Sequence, residues 1–116
     1  LSTRTPIGAA RYLQTKPGGR LYNELGYGSY LIWAVPEQAV FVDPRIELYP
    51  QHIWEDYINI SNGVRSLELI DAYAINRIIL DINLQPELST ILASNPVWRL
   101  EYQDKISQIW TRQDNP

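Results

Sequence analysis

Apolar and polar positions recur along this chain with two periods, and each predicts a different kind of element. Thr5-Pro6 combines a capping hydroxyl with proline at a first helical position. Ile7, Ala10 and Leu13 then fall on one helical face, and Lys16-Pro17-Gly18-Gly19 stops the helix. Leu21-Tyr22-Asn23 predicts a short strand. After Gly26-Tyr27-Gly28-Ser29, Ser29 is expected to cap a compact aromatic helix, Tyr30-Leu31-Ile32-Trp33-Ala34-Val35. Pro36 ends it, because proline disfavours helical geometry in the residue before it. Residues 39–42, Ala-Val-Phe-Val, lack any polar alternation, the pattern of a strand buried on both faces of a parallel sheet.

The second half continues the same way. Pro50 opens a helix in which Ile53, Trp54, Tyr57 and Ile58 recur at helical spacing, and Ser61-Asn62-Gly63 closes it. Ser66 is expected to cap a further helix carrying Leu67, Ile70 and Ala74. Residues 77–82 hold three consecutive large aliphatics and form the strongest predicted strand. Residues 86–94 predict a helix with Leu88, Ile91 and Leu92 inward, stopped by Asn95-Pro96. Trp98, Leu100 and Tyr102 alternate with Arg99, Glu101 and Gln103, the period of a strand with one wet face. Asp104-Lys105 turns the chain, and residues 106–112 return as the second arm of a hairpin.

Helices between successive strands imply parallel pairing through right-handed crossovers. The expected fold is therefore a single layered α/β domain over residues 1–116. It has a mostly parallel central sheet, flanking helices and a C-terminal antiparallel hairpin at the sheet edge. In this arrangement residues 39–42 and 77–82 are neighbouring central strands. Ligands of open parallel sheets sit beyond the carboxyl ends of the strands. That rule gathers a candidate crest of Asn23, Glu24, Tyr27, Tyr30, Asp43, Arg45 and Tyr49, with Asp81 near a third strand end.

Composition narrows what the crest can do. The 45% hydrophobic and 20% charged content is that of a globular domain. The net charge of −3 offers no general attraction to phosphate backbones, so nucleic acid is not an expected partner. The longest apolar run is Tyr30 to Val35, far short of the roughly 20 residues a spanning helix needs. The chain has no Cys and no Met and begins at Leu1; it is expected to be a fragment of a longer protein or a processed chain. His52 is the only histidine and there is no Cys, so a zinc set lacks further nitrogen or sulfur ligands; a Ser-His-Asp triad has no nucleophile elbow to support it, and no metal or cofactor is expected. Gly26-Tyr27-Gly28-Ser29 lacks both the third glycine of a dinucleotide loop and the Gly-Lys of a triphosphate loop. Its glycines are expected to serve a turn with positive φ.

Two readings of the crest stand side by side. Asp43 with Glu24 or Glu47 could act as acid and base, with Arg45 holding an anionic group. Alternatively, Asp43 caps a turn and pairs with Arg45, a local structural device. The aromatics divide similarly. Trp33, Trp54, Tyr57 and Trp98 sit at core spacing, whereas Tyr22, Tyr27, Tyr30 and Tyr49 flank the crest and could stack on a sugar or a partner.

Several of these segments together resemble a known kind of domain. They are Arg20-Leu21-Tyr22-Asn23, Gly28-Ser29-Tyr30-Leu31-Ile32-Trp33, Val40-Phe41-Val42-Asp43-Pro44-Arg45 through Tyr49, and Asp56-Tyr57. Tyr73-Ala74-Ile75 leading to Leu80, and Trp98-Arg99-Leu100 with Tyr102 and Asp104, extend the likeness over nearly the whole chain. The pattern resembles a soluble domain of bacterial multi-pass membrane proteins similar to the C-type glycosyltransferases, which use polyprenyl- or dolichyl-phosphate sugars. Where that pattern has Asp-Gly-Arg this chain has Asp43-Pro44-Arg45, a stiffer turn that puts any role of the glycine in doubt. The resemblance implies a non-catalytic accessory domain on the extracytoplasmic side of a membrane. Its partners would be the transmembrane part of the parent protein and a glycan or lipid-linked sugar. The catalytic carboxylate of such transferases lies in loops between membrane helices. A small stand-alone enzyme and a purely structural or oligomer-forming domain are the alternatives.

Overall fold

The computed structural model describes residues 5–16, 18–44 and 49–113. In chain order these form α1 (Ile7–Thr15), β1 (Leu21–Asn23), α2 (Tyr27–Ala34), α3 (Gln51–Ser61), α4 (Ser66–Ala72), β2 (Arg77–Asp81), α5 (Pro86–Ala93), β3 (Trp98–Gln103) and β4 (Ser107–Arg112). The four strands lie side by side in the order β1-β2-β4-β3. The α/β layering matches the sequence reading, but the sheet is mixed. Only β1 and β2 run parallel, while β4 is antiparallel to both β2 and β3.

The C-terminal hairpin forms one edge of the sheet, as expected, and burial explains why β4 is its inner arm. Alternate side chains of a strand face opposite sides of its sheet, so Ile109 of β4 joins one core and Trp110 the other. A strand with two apolar faces belongs inside a sheet, and β4 pairs there with β2, Ile78 opposite Trp110 and Ile79 opposite Ile109. Strand β3, half wet, takes the edge. Its alternation breaks where the register shifts between Leu100 and Tyr102. Leu100 is 39% exposed, while Tyr102 turns onto Tyr12 of α1 with ring centroids 5.7 Å apart.

Two helical layers cover the sheet. Helices α1 and α2 bury Ala9, Ala10, Leu13, Leu31 and Val35 against Ile79 and Ile109. On the other face α3, α4 and α5 bury Ile60, Ile70, Leu88 and Leu92 against Ile78, Leu80 and Trp110. Along this second core five rings form a continuous run, Trp54, Tyr57, Tyr22, Phe41 and Tyr73, with neighbouring centroids 5.2–5.4 Å apart.

The expected strand over residues 39–42 does not form, so it is not a neighbour of β2; β1 is. The segment runs beside β1, but side-chain amides hold it in place of a backbone ladder. The Asn23 Oδ1 accepts from the Phe41 and Val42 N–H groups at 2.6 and 3.4 Å, and Nδ2 donates to the Val42 carbonyl at 2.8 Å. At the other end the Gly18 N–H donates to Gln38 Oε1 at 2.9 Å, and Gln38 Nε2 donates to the Gly19 carbonyl at 3.3 Å. Both carboxamides are buried. Of the four apolar residues only Val42 is fully buried, so a two-faced strand was more than the environment required.

The expected caps also shift. Helix α2 begins at Tyr27, before Ser29, because the Glu24 carboxylate accepts from the Tyr27 N–H at 3.1 Å and starts the helix early. Gly28 is therefore helical, and Gly26 has φ −66°; the positive-φ glycines are Gly18, Gly19 and Gly63. Helix α1 has no side-chain cap from Thr5. The Ser66 hydroxyl donates back to the Ile60 carbonyl at 2.8 Å, tying α4 to the end of α3.

Candidate functional site

Parallel β1 and β2 end side by side, and their carboxyl ends carry Asn23-Glu24 and Asp81. The Glu24 N–H donates to the Ile79 carbonyl at 3.1 Å, which continues the ladder one residue beyond β1. Glu24 and Asp81 are both buried. Between them stands Tyr27 of α2, whose hydroxyl donates to Asp81 Oδ2 at 2.9 Å. Burial first, with that carboxylate beside it, pushes the Tyr27 hydroxyl well above its ordinary value. It is a neutral donor throughout the physiological range. Asp81 Oδ1 accepts from the backbone N–H groups of Asn83 and Leu84, each at 2.9 Å, and so fixes the turn into α5. Glu24, Tyr27 and Asp81 line a cavity of about 190 Å³ together with Thr5, Pro6, Gly26 and Leu84.

Asp43 joins the same end of the sheet by a different route. It does not leave a strand, but the Asn23 amide holds the residue before it, and α2 packs directly on it. A Cβ added to Gly28 would lie 2.4 Å from the Val42 carbonyl oxygen and 2.8 Å from the Asp43 Cα. Asp43 is 2% exposed, and its Oδ2 accepts from the Tyr49 hydroxyl at 2.8 Å. The crest thus gathers Asn23, Glu24, Tyr27, Asp43 and Tyr49. Tyr30 lies one turn along α2 from Tyr27, against Trp33 at 5.7 Å and the α1–α2 core. Arg45 and Glu47 fall outside the described residues.

Chemically, the three described crest carboxylates make hydrogen bonds that hold the fold. Glu24 caps α2, Asp81 holds a turn, and Asp43 receives a tyrosine hydroxyl. At about 190 Å³ the cavity falls below the roughly 300–1,000 Å³ of small-molecule sites. Among the described residues no cluster of three or more metal-ligating side chains occurs.

Sequence reasoning had Asp81 near the crest but missed that Tyr27 reaches it; a tyrosine three residues after a strand-end acid is the only signal. It also placed Trp33 in the core, and the structure does not. Trp33 is 76% exposed, whereas Trp98 and Trp110 are buried. Tyr22 and Tyr57 pack in the aromatic run, and Tyr22 donates its hydroxyl to the Tyr57 carbonyl at 3.0 Å. His52 is exposed at the start of α3.

No family model and no curated protein matches the chain. Among solved structures it is similar to the crystal structure of the C-terminal globular domain of an oligosaccharyltransferase from Archaeoglobus fulgidus. The likeness has a TM-score of 0.67 and covers 97% of this chain and 99% of that one. Sequence identity is 9%, so the two share a fold. The sequence pattern pointed to bacterial glycosyltransferase-like proteins; this neighbour belongs to an archaeal transferase of oligosaccharides.

Proposed function

We propose that this chain is a non-catalytic accessory domain of a membrane glycosyltransferase-like protein. It sits on the extracytoplasmic side, packs on the transmembrane part and helps position the glycan or the acceptor. The observation that carries the reading is the extent of the fold likeness. The neighbour is itself a separable C-terminal globular domain of an oligosaccharyltransferase, and the two match almost end to end. The employment of Glu24, Asp43 and Asp81 in capping and turn hydrogen bonds supports a positioning role over acid–base catalysis at the crest.

Deleting these 116 residues from the parent protein is the test. The expected result is weakened sugar transfer by a membrane part that still folds and inserts. Undiminished transfer by that truncated protein would refute the proposal.

A further inference from the structure

The two helical layers differ in charge far more than the net value of −3 suggests. Helices α1 and α2 contain no acidic residue; α1 carries Arg11, and Lys16 follows at its C-cap. Helices α3, α4 and α5 contain Glu55, Asp56, Glu68, Asp71 and Glu87, of which Glu68 pairs with Arg65 at the α4 N-cap and Asp71 with Arg112. Arg20 is on this second side, where its Nε donates to the Tyr73 carbonyl at the end of α4 at 2.9 Å. Because the layers lie on opposite faces of the sheet, the helical charge is basic on the α1–α2 side and predominantly acidic on the other.

The basic side also exposes its aromatics. Trp33 and Ile32, adjacent on α2, are 76% and 43% exposed. The Tyr30 ring lies against Trp33. Gln14 of α1 donates to the Ala34 carbonyl at 2.8 Å, which fixes the exposed ridge of α1, with Arg11 one turn before Gln14, next to Trp33. Arg11, Gln14 and Lys16 are all exposed. Three acids approach this side. Glu101 accepts from Tyr12 and Arg99, Asp104 accepts from Tyr102, and Glu37 is exposed just beyond α2.

We infer that the α1–α2 face docks on the surface of an anionic lipid bilayer. Trp33 and Ile32 enter the headgroup region, where tryptophan is favoured, and Arg11 and Lys16 meet the lipid phosphates. The charge complementarity selects this occupant, since a basic face with an exposed Trp–Ile pair fits a negative, amphipathic surface. The acidic α3–α5 layer would face away from it. Each basic residue near an anionic bilayer strengthens partitioning roughly fivefold. The inference rests on the reading that the parent is a membrane protein, but vesicle binding and sugar transfer are separate measurements. Loss of the first with the second still domain-dependent removes only the docking face. Vesicle binding alongside domain-independent transfer removes only the accessory role.

The test is co-sedimentation of the full chain with vesicles of phosphatidylcholine containing about a third phosphatidylglycerol, alongside sedimentation velocity without lipid. The chain should bind these vesicles, bind pure phosphatidylcholine far less, and show a blue-shifted tryptophan emission. Arg11→Glu with Lys16→Glu should weaken binding on the order of 25-fold or more. Trp33→Ser should weaken it and abolish the blue shift. Glu55→Lys with Glu87→Lys, on the opposite side, should leave this face's contribution intact. All these positions are exposed, and circular dichroism checks that each variant is folded. Absence of vesicle binding by the folded chain, or binding indifferent to both α1–α2 variants, overturns the inference. So does a lipid-free dimer that Trp33→Ser dissociates, because the occupant would then be a second copy.

Discussion

Asn23 and Val42 are joined on both sides of one carboxamide. Nδ2 donates to the Val42 carbonyl at 2.8 Å while Oδ1 accepts from the Val42 N–H at 3.4 Å and, more closely, from that of Phe41 at 2.6 Å. One side chain thus does for residues 41 and 42 what a partner strand's backbone would. Buried backbone groups demand such partners. Asn23→Ala should cost about 2–4 kcal/mol in urea-induced unfolding, since each buried group left unsatisfied costs about 1–3 kcal/mol. Asn23→Asp should be nearly as harmful, because it sets a carboxylate against the Val42 and Glu24 carbonyls. A loss under about 0.5 kcal/mol for both would mean the segment holds itself.

Gly28 is the second support of that segment. Alanine favours helix interiors over glycine by about 1 kcal/mol, so propensity alone makes Gly28→Ala stabilising. The contact decides otherwise. The new Cβ would meet the Val42 carbonyl oxygen at 2.4 Å, and that atom is backbone already held by Asn23. Overpacking of this kind costs about 1–3 kcal/mol, and thermal unfolding should show a net loss. Gly26→Ala is the control. Its φ is ordinary, and its new Cβ would meet only the movable Glu24 carboxylate at 3.1 Å. Equal melting temperatures for the two variants would contradict the packing argument.

These two residues also show where the sequence stopped being legible. The spacing of Leu13, Tyr57, Leu88 and Leu92 gave helices, and the unbroken aliphatics at 78–80 gave β2, because periodicity reports burial directly. A run of four apolar residues at 39–42 reports burial without saying what partners its backbone. That information lay in Asn23 and Gln38, two amides at a distance, which have no periodic signature. The hairpin's place at the edge was legible, but which arm lies inside depended on Ile109 and Trp110 being apolar in succession, which six residues of mixed character do not announce. At the crest, Glu24 and Asp81 were placed by the rule for parallel strand ends, which holds because β1 and β2 are a parallel pair. Asp43 arrived at the same end although its predicted strand is missing. Trp33 was misplaced because the six-residue run from Tyr30 to Val35, apolar all round, carries no phase.

Ionisation of the tyrosines offers a test over pH. Tyr102 and Tyr73 are each pushed up to about 12, first by burial and then by hydrogen bonds to Asp104 and Asp56. Burial raises Tyr22, Tyr27 and Tyr57 as well. A group with a raised folded-state pKa stabilises fully below its unfolded value and loses that contribution as pH rises through the folded value. Stability should therefore fall between about pH 10 and 12. Five of the eight tyrosines should titrate late in ultraviolet difference spectra. A single transition of all eight near pH 10 in folded protein would rule this out.

The acid side has the opposite sign and a different residue. Burial alone would raise the Asp104 carboxyl. Hydrogen bonds from the Tyr102 hydroxyl, from the Ile106 and Ser107 N–H groups and from the Ser107 hydroxyl outweigh it and hold the carboxyl below the usual range. Its stabilisation is present above about pH 4 and disappears as pH falls through the depressed folded value. Asp104→Asn should lower stability at pH 7 and converge on the wild type at the acid end. A difference that persisted undiminished in strong acid would assign the turn's stability to shape instead of charge.

Tyr27 separates a structural crest from a chemical one. Its hydroxyl bridges α2 to the Asp81 carboxylate at 2.9 Å and lies 3.3 Å from the Ile106 carbonyl, so it joins the first helical layer to the end of β2 and the start of β4. Tyr27→Phe keeps the ring in the α1–α2 core and removes only these bonds. A hydrogen bond to a charged group contributes about 1.5–3 kcal/mol, and a loss in that range is expected on unfolding. In the parent protein, transfer at temperatures where the domain stays folded should be unchanged, because on the accessory reading no proton passes through this hydroxyl. Leu84→Ala alters the same cavity wall from a half-exposed position, and should change neither quantity. The informative result is a split one. Transfer that falls in Tyr27→Phe while stability holds would move Tyr27 and Asp81 from the scaffold into the chemistry.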